Sequence, residues 1–137
     1  MAAQGQVAFE GIVREIPGLK TVTDLSAKQF CFVKMSADYT VAIATDDTLA
    51  IGVLQNKPLG TSTIPVAADV AGVGSVTKLL AAGTITYGQK LTVDGSTGGA
   101  VAVSEADDPV SAIALEGASS GDYLTAYLCG GATLAAA

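Results

Sequence analysis

The stretch AIGVLQNKPLG, residues 50–60, starts as an apolar strand and stops abruptly at a polar, turn-forming tetrad. Its first part, IGVL, has the apolar and β-branched composition of a core strand. The tetrad consists of Gln55, Asn56, Lys57 and Pro58. Pro58 disfavours helical geometry at the residue before it and has no amide hydrogen to donate to a ladder. The tetrad is therefore predicted to end a strand at a hairpin corner, and contact with another subunit is its second interpretation.

The composition indicates a single domain with more apolar residues than a soluble monomer needs. Of the 137 residues, 50% are hydrophobic and 15% are charged, and the mean hydropathy is +0.49. No stretch approaches the ~18 consecutive apolar residues of a membrane span. The beginning, MAAQGQVAFEG, lacks the basic region and apolar core of a signal peptide. We therefore expect no membrane partner, and we expect the surplus apolar surface to form a subunit interface.

The charge balance argues against nucleic acid as a partner. Seven basic residues stand against 13 acidic ones, which gives a net charge of −6, whereas phosphate binding requires clustered Lys and Arg. Residues 1–60 carry five basic and six acidic residues, and residues 61–137 carry two basic and seven acidic ones. The second half is predicted to form a solvated, anionic face, and the first half to contact a partner.

The pattern along the chain favours an all-β domain. Residues 1–23 mix single apolar residues with charges around Pro17-Gly18 and are predicted to form an extended arm. Residues 24–130 begin with one helical turn capped by Asp24 and continue as short strands between glycine-containing turns. A small barrel or a small sandwich is the expected architecture. Residues 131–137 are expected to fray.

Motifs that resemble catalytic or metal sites lack their essential residues. GASSG, residues 117–121, matches a nucleophile elbow, but the chain contains no His to act as the base. GTITYGQK, residues 83–90, has Gln89 where a phosphate-binding loop has Lys. Cys31 and Cys129 without His do not make a standard zinc site; we expect both to be buried in a reducing compartment, although a disulfide between them is possible. No enzyme activity, metal or cofactor is expected.

Three segments carry a resemblance to a known family. Residues 24–58, which include FVK and then IGVLQNKP, resemble the start of the capsid cement proteins of tailed bacteriophages, also called head decoration proteins. AAGTITYGQKLTVDGSTGGAV, residues 81–101, is similar to a glycine-turn segment of that family. SAIALEGASSGDYLTAYL, residues 111–128, is similar to its closing strands. The resemblance covers residues 24–128.

The resemblance implies a small β-barrel or β-tulip-like domain similar to the lambda-type head decoration protein. It implies a homotrimer, with a dimer left open, that binds the major capsid protein on the outer surface of the virion and stabilises the expanded shell. It also implies assembly in the host cytoplasm and no catalytic residues. The alternative is a receptor- or carbohydrate-binding module of a phage tail or spike, although such modules usually display aromatic platforms.

The arm is the predicted capsid contact. Its separate apolar side chains do not build a core of their own, so we expect it to order on the capsid or on a neighbouring subunit, by adding to a sheet edge. The candidate contact residues are Val7, Phe9, Ile12, Arg14, Ile16 and Leu19.

Overall fold

The computed structural model describes residues 13–45, 49–105 and 107–129, and within these ranges all regular structure is β. The strands are β1 Glu15–Ile16, β2 Lys20–Thr21, β3 Phe32–Ala37, β4 Thr40–Ile43, β5 Gly52–Leu54, β6 Val66–Ala67, β7 Val70–Ala71, β8 Val76–Leu80, β9 Lys90–Val93, β10 Ala100–Ala102, β11 Ala112–Ala114 and β12 Tyr123–Leu128. The predicted all-β class is confirmed. None of the described residues belongs to a helix long and apolar enough to cross a membrane.

The strands form two sheets. One has seven strands in the order β1-β7-β5-β3-β4-β2-β6, and the other has five in the order β10-β9-β11-β12-β8. Among the described residues they do not join into one closed barrel, so the small sandwich describes the architecture better than the barrel does. Both sheets are antiparallel except at the contact of β2 with β4.

The seven-stranded sheet curls because two chain segments each contribute strands to both of its ends. Residues 17–19 separate β1 from β2, and residues 68–69 separate β6 from β7. Residues 15–21 thus run antiparallel beside residues 66–71, with Glu15 opposite Ala71 and Thr21 opposite Val66. Between them the ladder is interrupted at Pro17-Gly18, where Gly18 adopts a φ of 81° that favours glycine.

Two apolar clusters fill the structure, one on each face of the central strands. Phe32, Val53 and Ala71 face the five-stranded sheet and share a core with its buried side chains. Their immediate neighbours Val33, Leu54 and Val70 point to the other side, into the concave interior of the curled sheet. Strands that are buried on both faces require continuous apolar sequence, which is why IGVL shows no alternation.

The described part of the predicted arm lies in the curled sheet. Strands β1 and β2 pair with β7, β4 and β6, and Leu19 packs into the concave interior with 7% of its surface exposed. Residues 1–12 and the predicted tail, residues 131–137, lie outside the described residues.

The helical turn predicted at residues 24–30 is instead a pair of tight turns. The Asp24 carboxylate accepts hydrogen bonds from the Ser26 hydroxyl (2.6 Å) and amide (3.0 Å), which hold the pKa of Asp24 below its usual value. The amide of Leu25 donates to the carbonyl of Pro58 at 2.9 Å. Because this segment pairs with Pro58 and Leu59, at the end of the tetrad and just after it, its backbone groups bind across the chain and do not form a local helix.

Candidate functional site

Gln55 connects the two sheets. It directly follows β5, and its Nε2 donates to the hydroxyl of Thr77 in β8 at 2.9 Å and to the carbonyl of Val53 at 3.1 Å. Thr77 is buried, and its hydroxyl lies 3.2 Å from Oε1 of the same glutamine. The backbone of Gln55 is bound as well, because its carbonyl accepts a hydrogen bond from Gln29 Nε2 at 2.8 Å. This side chain therefore supports the contact between the sheets.

Asn56 and Pro58 hold the chain as it leaves β5. Asn56 Nδ2 donates to the carbonyl of Ala67 at 3.1 Å, and Asn56 Oδ1 accepts from the amide of Asp69 at 3.1 Å. Pro58 is buried, whereas Lys57 is exposed. Residues 55–69, which include β6, lead to β7, the antiparallel neighbour of β5, so the predicted hairpin corner is a long connection that contains a strand of its own. Of the four residues predicted as a subunit contact, Lys57 is the exposed one; that contact stays a prediction.

Removing the Gln55 side chain should weaken the packing of the sheets. We expect Gln55→Ala to lower the free energy of unfolding by about 1–2 kcal/mol, because it takes two hydrogen bonds from the buried Thr77 hydroxyl. Urea unfolding at a fixed protein concentration measures the loss, and Lys57→Ala is the control, expected within about 0.5 kcal/mol of the parent. In Gln55→Ala/Thr77→Val the loss should be smaller than the sum of the single losses; additive effects would contradict a direct coupling.

The candidate contact residues of the arm differ in where the structure places them. Val7, Phe9 and Ile12 lie outside the described residues. Ile16 is half-buried in β1 and Leu19 is buried, so both pack within this chain. Arg14 is exposed, and its amide donates to the Ser75 hydroxyl at 2.7 Å, directly before β8. The arm therefore joins the folded domain beside an edge strand of the five-stranded sheet.

The two cysteines are free thiols. Cys31 is buried and Cys129 is half-buried, and burial raises the pKa of both thiols. The disulfide left open from the sequence is not formed.

An exposed apolar surface that the sequence did not single out covers part of the five-stranded sheet. On β12 the side chains of Leu124, Ala126 and Leu128 enter the core, and those of Tyr123 and Tyr127 point outward. We call this surface the outer face; it consists of Val76, Lys78, Lys90, Ile113, Leu115, Tyr123 and Tyr127. Its exposed fractions reach 52% for Leu115 and Tyr123 and 42% for Tyr127. The strict alternation of DYLTAYL predicts a strand with two distinct faces. Both faces of that strand carry apolar side chains, so the sequence does not indicate which of them is exposed.

A group of carboxylates lies on the loop between β10 and β11. We call residues 103–105 and 107–109 the acidic loop; the carboxylates of Glu105, Asp107 and Asp108 lie within 4.8 Å of one another. Asp108 Oδ2 accepts from the amides of Ser104 (3.2 Å) and Glu105 (3.1 Å), so it shapes the loop. Three of the seven acidic residues in residues 61–137 lie here.

The fold defines a class of small all-β domains in which a curled sheet packs on an open one. In a comparison with solved structures, the chain is similar to the head fiber gp8.5 N base of bacteriophage phi29, with a TM-score of 0.62 and 18% sequence identity. The match covers 80% of this chain and 89% of that one. No protein-family model and no curated protein matches the sequence. At this identity the likeness establishes the shared fold.

Proposed function

We propose that the protein is a structural component of a phage head, a decoration or cement protein on the outer surface of the expanded shell. The observation that carries the proposal is the fold shared with the head fiber base of phi29 over most of both chains. The resemblance of residues 24–128 to head decoration proteins supports the same role from the sequence. In this role the protein bridges neighbouring copies of the major capsid protein, as a homotrimer of the lambda type.

Cementing acts through linkage. A protein that binds the expanded shell, and not the unexpanded one, stabilises the expanded form by its own binding free energy. Several binding sites on one oligomer raise the effective concentration of each remaining site once the first is occupied. No catalytic group is needed for this function.

The arm supplies the capsid contact in this proposal, and its contact residues are those before β1. Ile16 and Leu19 contribute to the chain's own sheet, which leaves Val7, Phe9, Ile12 and the exposed Arg14 as the contact residues. An extended segment of this kind binds by adding a strand to an exposed sheet edge of its partner.

Deletion of residues 2–12 tests the role of the arm without removing β1. We expect the full chain to coat expanded heads that lack it, and the deletion variant to bind with at least about tenfold lower affinity, since several apolar contacts are lost. Binding is measured by sedimentation of heads with labelled protein, and thermal unfolding checks that the variant is folded. Undiminished binding would contradict the role of the arm, and failure of the full chain to bind would contradict the proposed function.

A receptor- or carbohydrate-binding module of a tail or spike is the second candidate. One observation favours it: all four tyrosines of the chain are exposed, and two of them lie on the outer face. Tyrosine combines an apolar ring with a polar hydroxyl and is common at binding surfaces. The location of the protein in the virion separates the two candidates.

A further inference from the structure

The outer face has a defined arrangement of side chains. Ile113, Tyr127 and Val76 are register partners across β11, β12 and β8 and form an apolar row, which the exposed Lys90 on β9 extends beyond Ile113. In the next row Thr125 lies opposite Lys78. Tyr123 is held at the end of the face by the Phe30 ring, whose centroid lies 5.5 Å away at an angle of 79°. Half-exposed aromatic side chains beside aliphatic ones are typical of the centre of a protein interface.

The two edges of the five-stranded sheet differ in charge. Lys78 lies on β8, one edge strand of the five-stranded sheet, and the acidic loop leaves β10, the other edge strand. Lys78 is exposed, and so are Glu105 and Asp107. Lys78 and Lys90 are the only basic residues in residues 61–137. One copy of the sheet thus offers an apolar surface with Lys78 at one edge and, at the other, three carboxylates that outnumber the neighbouring Lys90.

We propose that the outer face is an interface between copies of this chain, in which Lys78 of one copy meets the acidic loop of the next. The inference deepens the proposed function by naming the surface through which copies associate, and it is tested on the purified protein without capsids. A second copy fits because it supplies the carboxylates that the lysine requires. The mean hydropathy of +0.49 indicates more apolar surface than a soluble monomer needs. An interface at the outer face would bury part of that surface.

A charge swap tests the pairing of Lys78 with the acidic loop. We expect the full-length protein to sediment as an oligomer and Lys78→Glu to weaken association by about tenfold at low salt, because like charges then face each other. Glu105→Lys/Asp107→Lys should weaken it similarly, and the combined triple variant should recover association to within about threefold of the parent. Lys20→Glu is the control: it reverses an exposed lysine on β2 of the seven-stranded sheet and should associate as the parent does.

A second pair of variants tests the apolar part of the face. Tyr123→Ser/Tyr127→Ser should weaken association by about a hundredfold, since aromatic anchors carry much of the binding energy of an interface. Tyr39→Ser is the matched control, because Tyr39 is exposed in the β3–β4 turn of the other sheet. Circular dichroism and thermal unfolding establish that each variant is folded. If the tyrosine variant is unfolded, the charge-swap variants alone test whether the outer face is the interface.

The outcomes separate this inference from the proposed function. A parent protein that remains monomeric at about 100 μM, or variants that associate as the parent does, would overturn the interface. A monomeric parent whose binding to expanded heads is lost in Tyr123→Ser/Tyr127→Ser would overturn it too and assign the face to the shell. Self-association through this face without binding to heads would support the interface and contradict the head function.

Discussion

Gly52→Ala is expected to destabilise the protein by about 3 kcal/mol, one of the largest losses for so small a change. Gly52 begins β5, where that strand lies between β3 and β7. A Cβ at this position would fall on the carbonyl oxygen of Ala71 and lie 2.7 Å from Cγ1 of Val70. Both neighbours belong to a buried strand, so relief requires β5 and β7 to separate. Urea unfolding at a fixed protein concentration measures the loss.

Gly83→Ala is the control for this substitution. A Cβ at Gly83 would have one neighbour, Cγ1 of Val101 at 3.7 Å, which is an ordinary contact. Its free energy of unfolding should stay within about 1 kcal/mol of the parent. Equal effects of the two substitutions would show that the close approach of β5 to β7 does not limit stability.

Leu19→Ala is expected to lower the free energy of unfolding by about 2–3 kcal/mol. Leu19 packs with Leu25, Val41 and Val70 in the concave interior of the curled sheet. The truncation leaves a cavity between strands that come from both ends of that sheet, which limits how far the surroundings can collapse. The measurement is again urea unfolding.

Leu59→Ala provides a matched control at an exposed leucine. Leu59 is 61% exposed, so its truncation should change the free energy of unfolding by at most about 0.5 kcal/mol. Deletion of residues 2–12 should likewise leave stability unchanged. A Leu19→Ala variant as stable as Leu59→Ala would mean that residues 15–21 are not part of the folded domain.

Much of the strand pattern is predictable because it rests on local chemistry. Alternation in DYLTAYL predicts β12, and FCFVKM and YTVAIAT predict the hairpin of β3 and β4. The glycine-containing turns and the tetrad mark where strands end. These signals depend on neighbouring residues alone.

The parts that were not predictable depend on distant partners. Strands β1 and β2 have no apolar period, and they form because residues 66–71 offer a ladder to them. The Asn56 side chain binds backbone groups of Ala67 and Asp69. These residues are distant in sequence and come close to Asn56 only because the chain folds back. Neither relationship has a signature within one short window of sequence.

The outer face illustrates a third limit. The alternation of β12 separates Tyr123 and Tyr127 from Leu124, Ala126 and Leu128, but both sets are apolar. The core side of this sheet also contains Ala112 and Ala114, so small and medium side chains fill it and the larger tyrosines point outward. A tyrosine hydroxyl also retains access to water there. Only the packed structure decides between the two faces.

The most direct test of the proposed function is to locate the protein in the virion. Under the proposed function the chain belongs to a phage, and the measurement is a cryo-electron microscopy map of purified particles of that phage. The head function predicts density for this two-sheet domain over the outer surface of the head, repeated across the shell. Density confined to the tail or a spike, with a bare head surface, would contradict it.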